Sequence, residues 1–360
     1  MNTKTISIVS TEFPPGPGGI GNHAYSLSNH LAKKGYKVFV ISEIRKEYET
    51  QKIKLEKNVF VEYIDRGSNI FQRYFNRWKT SKKYIKRSDL VISSGIWADI
   101  IVAFLPKKIK KKVIIIGHGI DVNPKQKIKK WLITKAFHNA NQIVAVSSYT
   151  KKIIPEKFHQ KTVVINNGFT PIVLDNSNND VYNTENVNLL TVGNVTQRKG
   201  QENVIRALPT VVKKIPNIHY HMVGIPTEKD RLKTIASELN VLDYVTFHGV
   251  VSDKKLGQYL KEADIFIMLS DKTSTGDFEG FGIAILEANY LGTPSIGAED
   301  CGIEDAVDHG FSGLLVNPHN PKEIAIAVQQ ILDSDFSQNA HIHAESFLWA
   351  RIIEKYISIL

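Results

Sequence analysis

Two glutamates, Glu279 and Glu287, bracket a glycine-bearing turn in DFEGFGIAILEA, Asp277 to Ala288. A basic pair, Arg198 and Lys199, stands between glycines in GNVTQRKG, Gly193 to Gly200. Were the first stretch wholly helical, its two acids would lie about 12 Å apart along the axis and about 80° apart in azimuth. That spacing suits one acid at each end of a diphosphate. Cleavage of a glycosidic bond by a carboxylate pair needs a separation of roughly 5 to 9.5 Å across one bond, so hydrolysis is the weaker reading. Two fixed cations can hold a diphosphate and stabilise the charge that grows on it as it leaves. Singly, each feature reads as solvated surface or a helix cap; together in one half of the chain they make a coherent phosphate site.

The elements that must position these groups follow from hydrophobic pattern. Ile265 to Leu269 reads as a strand, Ser270 to Asp277 as a loop and Ile283 to Leu291 as a helix. The N–H groups of the first helical turn, near Gly280, Phe281, Gly282 and Ile283, then point at whatever occupies the strand's end, and an anion is favoured there. Leu189 to Val192 reads as a strand and Gln201 to Lys214 as a helix with Val204, Leu208 and Val211 on one stripe. Arg198 and Lys199 therefore sit at a strand-to-helix crossing.

At these residues the chain resembles the retaining, GT-B-fold glycosyltransferases of family 4, which include mannosyltransferases acting on phosphatidylinositol. The resemblance rests on GNVTQRKG, on EGFGIAILE, on the glycine-rich loop after the first strand, and on GHGID (Gly117 to Asp121), VSSYTKK (Val146 to Lys152) and INNG (Ile165 to Gly168). It implies that Arg198 and Lys199 hold the diphosphate of a UDP- or GDP-sugar donor, with Gly193 opening their loop. It also implies that Glu279 and the backbone of Gly280 to Ile283 hold the hexose and distal phosphate, and that Glu287 binds the ribose. His118 resembles a histidine that reaches across a cleft to the donor sugar, and Gly18 and Gly19 match a loop that lets phosphate or acceptor approach the backbone. The implied reaction is hexose transfer with retention to a glycan or lipid-linked acceptor, with no metal or cofactor, in bacterial surface-polysaccharide assembly. A nonhydrolysing sugar-nucleotide epimerase and a noncatalytic nucleotide-sugar or membrane-binding protein are the alternatives.

The rest of the sequence sets the frame. Alternating strands and helices from Ile6 to Val146, and again from Val187, describe an α/β protein of two doubly wound parallel-sheet domains. Expected boundaries are 1–168 for an acceptor-side domain, 169–186 for a polar linker and 187–339 for a donor-side domain, with a helix at 340–360 crossing back. One cysteine, Cys301, excludes an internal disulfide. The polar start and the lack of a run of roughly 20 apolar residues favour a cytoplasmic location.

Charge is uneven. Residues 1–168 carry 31 Lys and Arg against 11 Asp and Glu, whereas residues 169–360 carry 15 against 25. Asn69 to Arg87 places Phe71, Tyr74, Phe75 and Trp78 at helical spacing among Arg73, Arg77, Lys79, Lys82 and Lys83, and further basic runs lie at Lys107 to Lys112 and Lys125 to Lys130. This pattern points to an anionic membrane surface met by the first domain, peripherally on the cytoplasmic face. The bland reading packs the aromatic face on the domain's own sheet. No nucleic-acid recognition module accompanies the charge. A dehydrogenase reading rests on Gly16, Gly18 and Gly21 with Glu43 as a ribose-binding acid; the Pro-containing insertion and Pro17 in the turn oppose it. Asp333-Ser334-Asp335, His219 with His221, and His341 with His343 are not read as metal sites.

Overall fold

A computed structural model describes residues 4–16, 18–43, 52–106, 111–172, 174, 181–274 and 276–360. The chain forms two compact units, Met1–Asn167 with Trp349–Leu360, and Gly168–Leu348. In the first unit seven strands, β1 (Thr5–Ser10), β2 (Lys37–Glu43), β3 (Val59–Ile64), β4 (Leu90–Ser94), β5 (Lys112–Gly117), β6 (Gln142–Ala145) and β7 (Thr162–Val164), lie in the order β3-β2-β1-β4-β5-β6-β7, all parallel. Helices α1 (Gly19–Lys33), α2 (Ile70–Ile85), α3 (Ile96–Ala103), α4 (Lys127–Asn139) and α5 (Ser148–Ile153) make the crossovers other than that from β2 to β3. The central strands are near-continuous apolar runs because helices cover both faces: Ile8, Val40, Ile92 and Ile114 are fully buried. Strand order reverses beside β1, so the loop from β1 into α1 opens at a switch point.

Helix α2 resolves the aromatic stripe in two ways. Asn69 caps it by accepting from the Gln72 N–H at 2.9 Å. Trp78 packs against the unit's core, whereas Phe71 is 85% exposed and Phe75 58% exposed. The reading that the whole aromatic face lies on the sheet fails for that N-terminal part. Lys107 to Lys110 lie outside the described residues, as does Pro17.

Glu43 is not a ribose acid. Its carboxylate accepts from Arg77 Nε at 2.6 Å and Arg73 Nε at 2.9 Å, and Arg66 Nε stands 3.3 Å away. Arg77, buried between the rings of Tyr74 and Trp97, is the counterion that seats α2 on the end of β2. Burial pushes the Glu43 carboxyl up, but bonds and charge from Arg73 and Arg77 outweigh it and bring it from 4.5 down to about 2. The lowered value means this stabilisation is complete above pH about 4.5 and is lost as pH falls toward 2. Glu43→Ala leaves Arg77 buried without a counterion, so about 3 kcal/mol of stability should disappear in urea unfolding at pH 7. That deficit should shrink when both proteins are unfolded at pH 3.

In the second unit six parallel strands, β8 (Val187–Val192), β9 (Ile218–Val223), β10 (Val245–Gly249), β11 (Ile265–Met268), β12 (Ser295–Ala298) and β13 (Gly313–Val316), take the order β10-β9-β8-β11-β12-β13. Helices α6 (Gln201–Val212), α7 (Lys229–Glu238), α8 (Asp253–Glu262), α9 (Ile283–Tyr290), α10 (Pro321–Leu332) and α11 (Ser337–Glu345) cover it. Order reverses between β8 and β11, the two strands that lead into the Arg198 and Glu279 segments.

The chain passes between units at Asn167–Gly168 and again at Leu348–Trp349. Part of the expected linker is built into the second unit: Tyr182 is buried there and its hydroxyl donates to the Tyr259 carbonyl at 2.8 Å. The expected single return helix is two. Between them the Phe347 carbonyl accepts from the Phe169 N–H at 3.1 Å. Helix α12 (Trp349–Ile357) then buries Trp349, Ile352, Ile353 and Tyr356 and packs on α1 in the first unit. Among the described residues no helix is long and apolar enough to cross a membrane.

Candidate functional site

The turn after β8 is built from glycines that allow backbone to approach backbone. At Gly200, φ is +73° and a Cβ would fall 1.7 Å from the Leu269 carbonyl oxygen, so the start of α6 can press on the end of β11 only without a side chain. The Asn203 amide donates to that same carbonyl at 2.9 Å. Gly193 donates its N–H to the Val223 carbonyl at 2.8 Å, and a Cβ there would stand 3.1 Å from Lys199 Cε. Gln197–Lys199 form a single 3-10 turn. This packing delivers Arg198 and Lys199 to the loop that leaves β11.

That loop carries the acids. Lys199 Nζ lies 2.9 Å from Glu279 Oε2, Arg198 Nη1 donates to the same oxygen, and Arg198 Nε is 3.5 Å from Asp277 Oδ2. Asp277 is a further partner that spacing alone did not single out; its place two residues before Glu279 was the available signal. Burial pushes the Glu279 carboxyl up, and the Lys199 and Arg198 charges outweigh it, leaving it below the ordinary glutamate range. The cluster is thus a charged pair of cations held ready by one buried carboxylate.

Helix α9 begins beside it. Gly282, at φ +95°, is its N-cap and offers no side chain, so no side chain caps the Ile283 and Ala284 N–H groups, which face an incoming anion, while the Ile285 N–H donates to the Gly282 carbonyl at 3.0 Å. Gly302 packs so close that a Cβ would meet the Gly280 carbonyl at 2.1 Å, and its N–H donates to the Glu279 carbonyl at 3.0 Å. The Phe281 side chain is buried, its ring 5.7 Å from that of Phe347, so only its backbone is free to serve a ligand. Ile283 opens the helix. Cys301 is buried beside this turn, and burial pushes its thiol up to about 12, which leaves it inert.

Glu287 lies farther along α9, and burial pushes its carboxyl up to about 7, with Lys199 pulling it down and Asp253 adding to the rise. A carboxyl raised from 4.5 to about 7 costs stability increasingly as pH rises through that window. A ligand that donates hydroxyls to the carboxylate must take the ionised form. If Glu287 accepts from the ribose hydroxyls, as the resemblance implies, nucleoside diphosphate affinity should weaken as pH falls below about 7, approaching tenfold per unit, and Glu287→Gln should flatten that slope. Calorimetry from pH 5.5 to 8.5 checks both.

His118 belongs to the first unit, at the end of β5. Its N–H and that of Gly119 donate to Asp121 Oδ1 at 3.0 and 2.7 Å, a bracing role for Asp121 that the sequence left unread. Ser94 Oγ lies 2.8 Å from His118 Nε2. Burial pushes the imidazole down to about 4, so it is neutral near pH 7. Gly18, at φ +149°, is the N-cap of α1, and a Cβ there would strike the Glu12 carboxylate; Gly19, the first residue of α1, has open space at its Cβ position.

The remaining candidates have structural partners. Asp333 follows α10 and accepts from Gln329 at 3.0 Å, and among the described residues no group of three or more His, Cys, Asp or Glu is arranged for a metal. His219 pairs with Thr246 and His221 with His248. His341 bonds the Tyr290 carbonyl, and the ring of His343 meets Phe347 edge-on.

Two family models cover nearly all of the chain. Residues 175–346 match the family described as glycosyl transferases group 1, and residues 17–171 match glycosyltransferase family 4. The chain belongs to these glycosyltransferases. Like other members of this glycosyltransferase group, it has a GT-B fold of two Rossmann-like domains. A sucrose-phosphate synthase from Thermosynechococcus elongatus superposes with a TM-score of 0.81 at 19% identity, covering 99% of this chain and 98% of that one. Anabaena HepE, solved with UDP-glucose, gives 0.77 at 20% identity over 99% and 100% of the two chains. Among curated relatives, a GDP-mannose-dependent alpha-(1-6)-phosphatidylinositol monomannoside mannosyltransferase of Mycobacterium tuberculosis is 31% identical over 149 residues, 41% of this chain. The match spans only 39% of that relative's length.

Proposed function

We propose that this chain transfers a hexose from a UDP- or GDP-sugar to a glycan or lipid-linked acceptor, with retention and without a metal ion. The observation that carries the reading is the convergence of Arg198 and Lys199 on Glu279 at the strand-order reversal, beside the uncapped start of α9. Positive charge that a metal supplies elsewhere comes from these two side chains and the helix terminus. The bond from the anomeric carbon to the diphosphate oxygen breaks with its electron pair passing to that oxygen. The acceptor hydroxyl bonds the same carbon on the same face, and its proton passes to the leaving phosphate. Glu279 and the Gly280 to Ile283 backbone hold the hexose and distal phosphate, Glu287 the ribose. His118, neutral, orients the sugar by hydrogen bonding. The donor classes are supported by the UDP-glucose bound to HepE and by the GDP-mannose in the mycobacterial relative's name. Retention and a setting in bacterial surface-polysaccharide assembly rest on the family resemblance. Incubation with UDP- and GDP-hexoses and lipid-linked acceptors tests it: an α-linked product from an α-linked donor, read from the one-bond coupling between the anomeric carbon and its proton, supports retention, and a β-linked product overturns it.

The acceptor side meets an anionic membrane. Ile70, Phe71 and Phe75 on α2 and Ile128 and Trp131 on α4 are exposed among lysines and arginines. Changing Phe71 and Phe75 to Ser removes exposed rings only, so thermal stability should hold while binding to phosphatidylglycerol vesicles falls about tenfold or more. Sedimentation with anionic and neutral vesicles reads the difference; equal binding of variant and parent would refute the contact.

A further inference from the structure

Within the first unit the His118 ring has a second neighbour besides Ser94. His23 meets it edge-on, ring centroids 5.0 Å apart at 76°. His23 lies one turn into α1, just past Gly18 and Gly19, and is 2% exposed. Its Nε2 is 3.0 Å from the hydroxyl of Tyr356 on α12, itself fully buried. The rings of Trp349 and Tyr356 close around it at 5.2 and 5.8 Å, and His30 stacks against Trp349. The other nitrogen, Nδ1, is buried with no hydrogen-bond partner.

Phe would fill this space without stranding Nδ1, but only a polar ring such as His offers the buried Tyr356 hydroxyl a partner. The bond to Tyr356 fixes the rotation of the His23 ring, and so fixes which edge it turns toward His118. Ser94 holds the nitrogen side of His118; His23 walls another side. We propose that His23, held by Tyr356, is a positioning residue that sets the plane of the His118 imidazole. Helix α12, which returns to the first unit after the second passage of the chain, thereby bears on the orientation of His118. The inference rests on the reading that His118 orients the donor sugar. Burial holds both imidazoles below their ordinary range, His23 well below it, so the two meet as neutral rings rather than as charges.

Loss of the Tyr356 hydroxyl strands both His23 nitrogens and frees the ring to turn, whereas with Phe at position 23 there is no imidazole for the hydroxyl to hold. The two changes should therefore be non-additive. The test uses the full chain labelled with 15N, the His118 imidazole signals being assigned by their loss in His118→Gln. Release of UDP or GDP from UDP-glucose and GDP-mannose is measured alongside. Tyr356→Phe should shift the His118 signals and lower kcat for the better donor about tenfold, with its KM within about twofold. In a His23→Phe background the same change should move neither quantity. A lower Tm with His118 signals and kcat unmoved, or additive effects in the double variant, would overturn the proposal. His118→Gln with unchanged turnover would instead refute the assignment of His118 to the donor, while a shift of its signals in Tyr356→Phe would still support the coupling.

Discussion

Alanine in place of both Arg198 and Lys199 is expected to lower turnover about 10⁴-fold and to take donor affinity below detection. A single preorganised donor to a developing oxyanion is worth about 2.7 to 4 kcal/mol, and here two charged donors face one leaving diphosphate. The structure adds a consequence that loss of a surface lysine would not have. Glu279 is only 12% exposed at its side chain, and its low titration depends on these two cations against the opposing effect of burial. With both gone, burial acts almost alone and the Glu279 carboxyl should titrate above its ordinary range. Steady-state kinetics and carboxyl NMR of the double variant read the two effects. Turnover within tenfold of the parent would remove the cations from the mechanism.

Glu279→Gln should separate binding from turnover. In the structure one carboxylate oxygen engages both Arg198 and Lys199, so an incoming diphosphate competes with Glu279 for the same donors. The amide keeps the shape and removes the competing charge. UDP or GDP alone should bind about tenfold more tightly, the equivalent of about 1.4 kcal/mol. Hexose transfer should fall about a thousandfold, because the carboxylate that fixes the sugar hydroxyls is gone. Tighter nucleotide with lost transfer is the expected pair; weaker nucleotide binding in Glu279→Gln would contradict the competition.

The fold was legible where pattern is local. Buried runs such as Ile6 to Val9 and Val113 to Ile116 announce parallel strands because helices cover both sheet faces. The edge strands Thr162–Val164 and Gly313–Val316 were not read. Each is short, and its identity comes from pairing with a single neighbouring strand. The break between α11 and α12 was also illegible; it falls where the Phe347 carbonyl accepts from Phe169, remote in sequence. At the site, glycines and charges showed through because few other residues permit such close backbone approaches. Asp277, Asp121 and His23 did not. Their roles depend on which charge or ring the fold brings near, and single-sequence spacing does not encode that. Glu43 shows the converse: its spacing fits a ribose-binding acid, yet three arginines from the next elements claim its carboxylate.

Calorimetric titration of the full chain with a panel of UDP- and GDP-sugars, with the Arg198→Ala/Lys199→Ala variant in parallel, tests the donor site most directly. Selective binding of one sugar nucleotide that disappears in the variant is the expected result. Binding that survives in the variant unchanged, or no binding of any member of the panel, would contradict it.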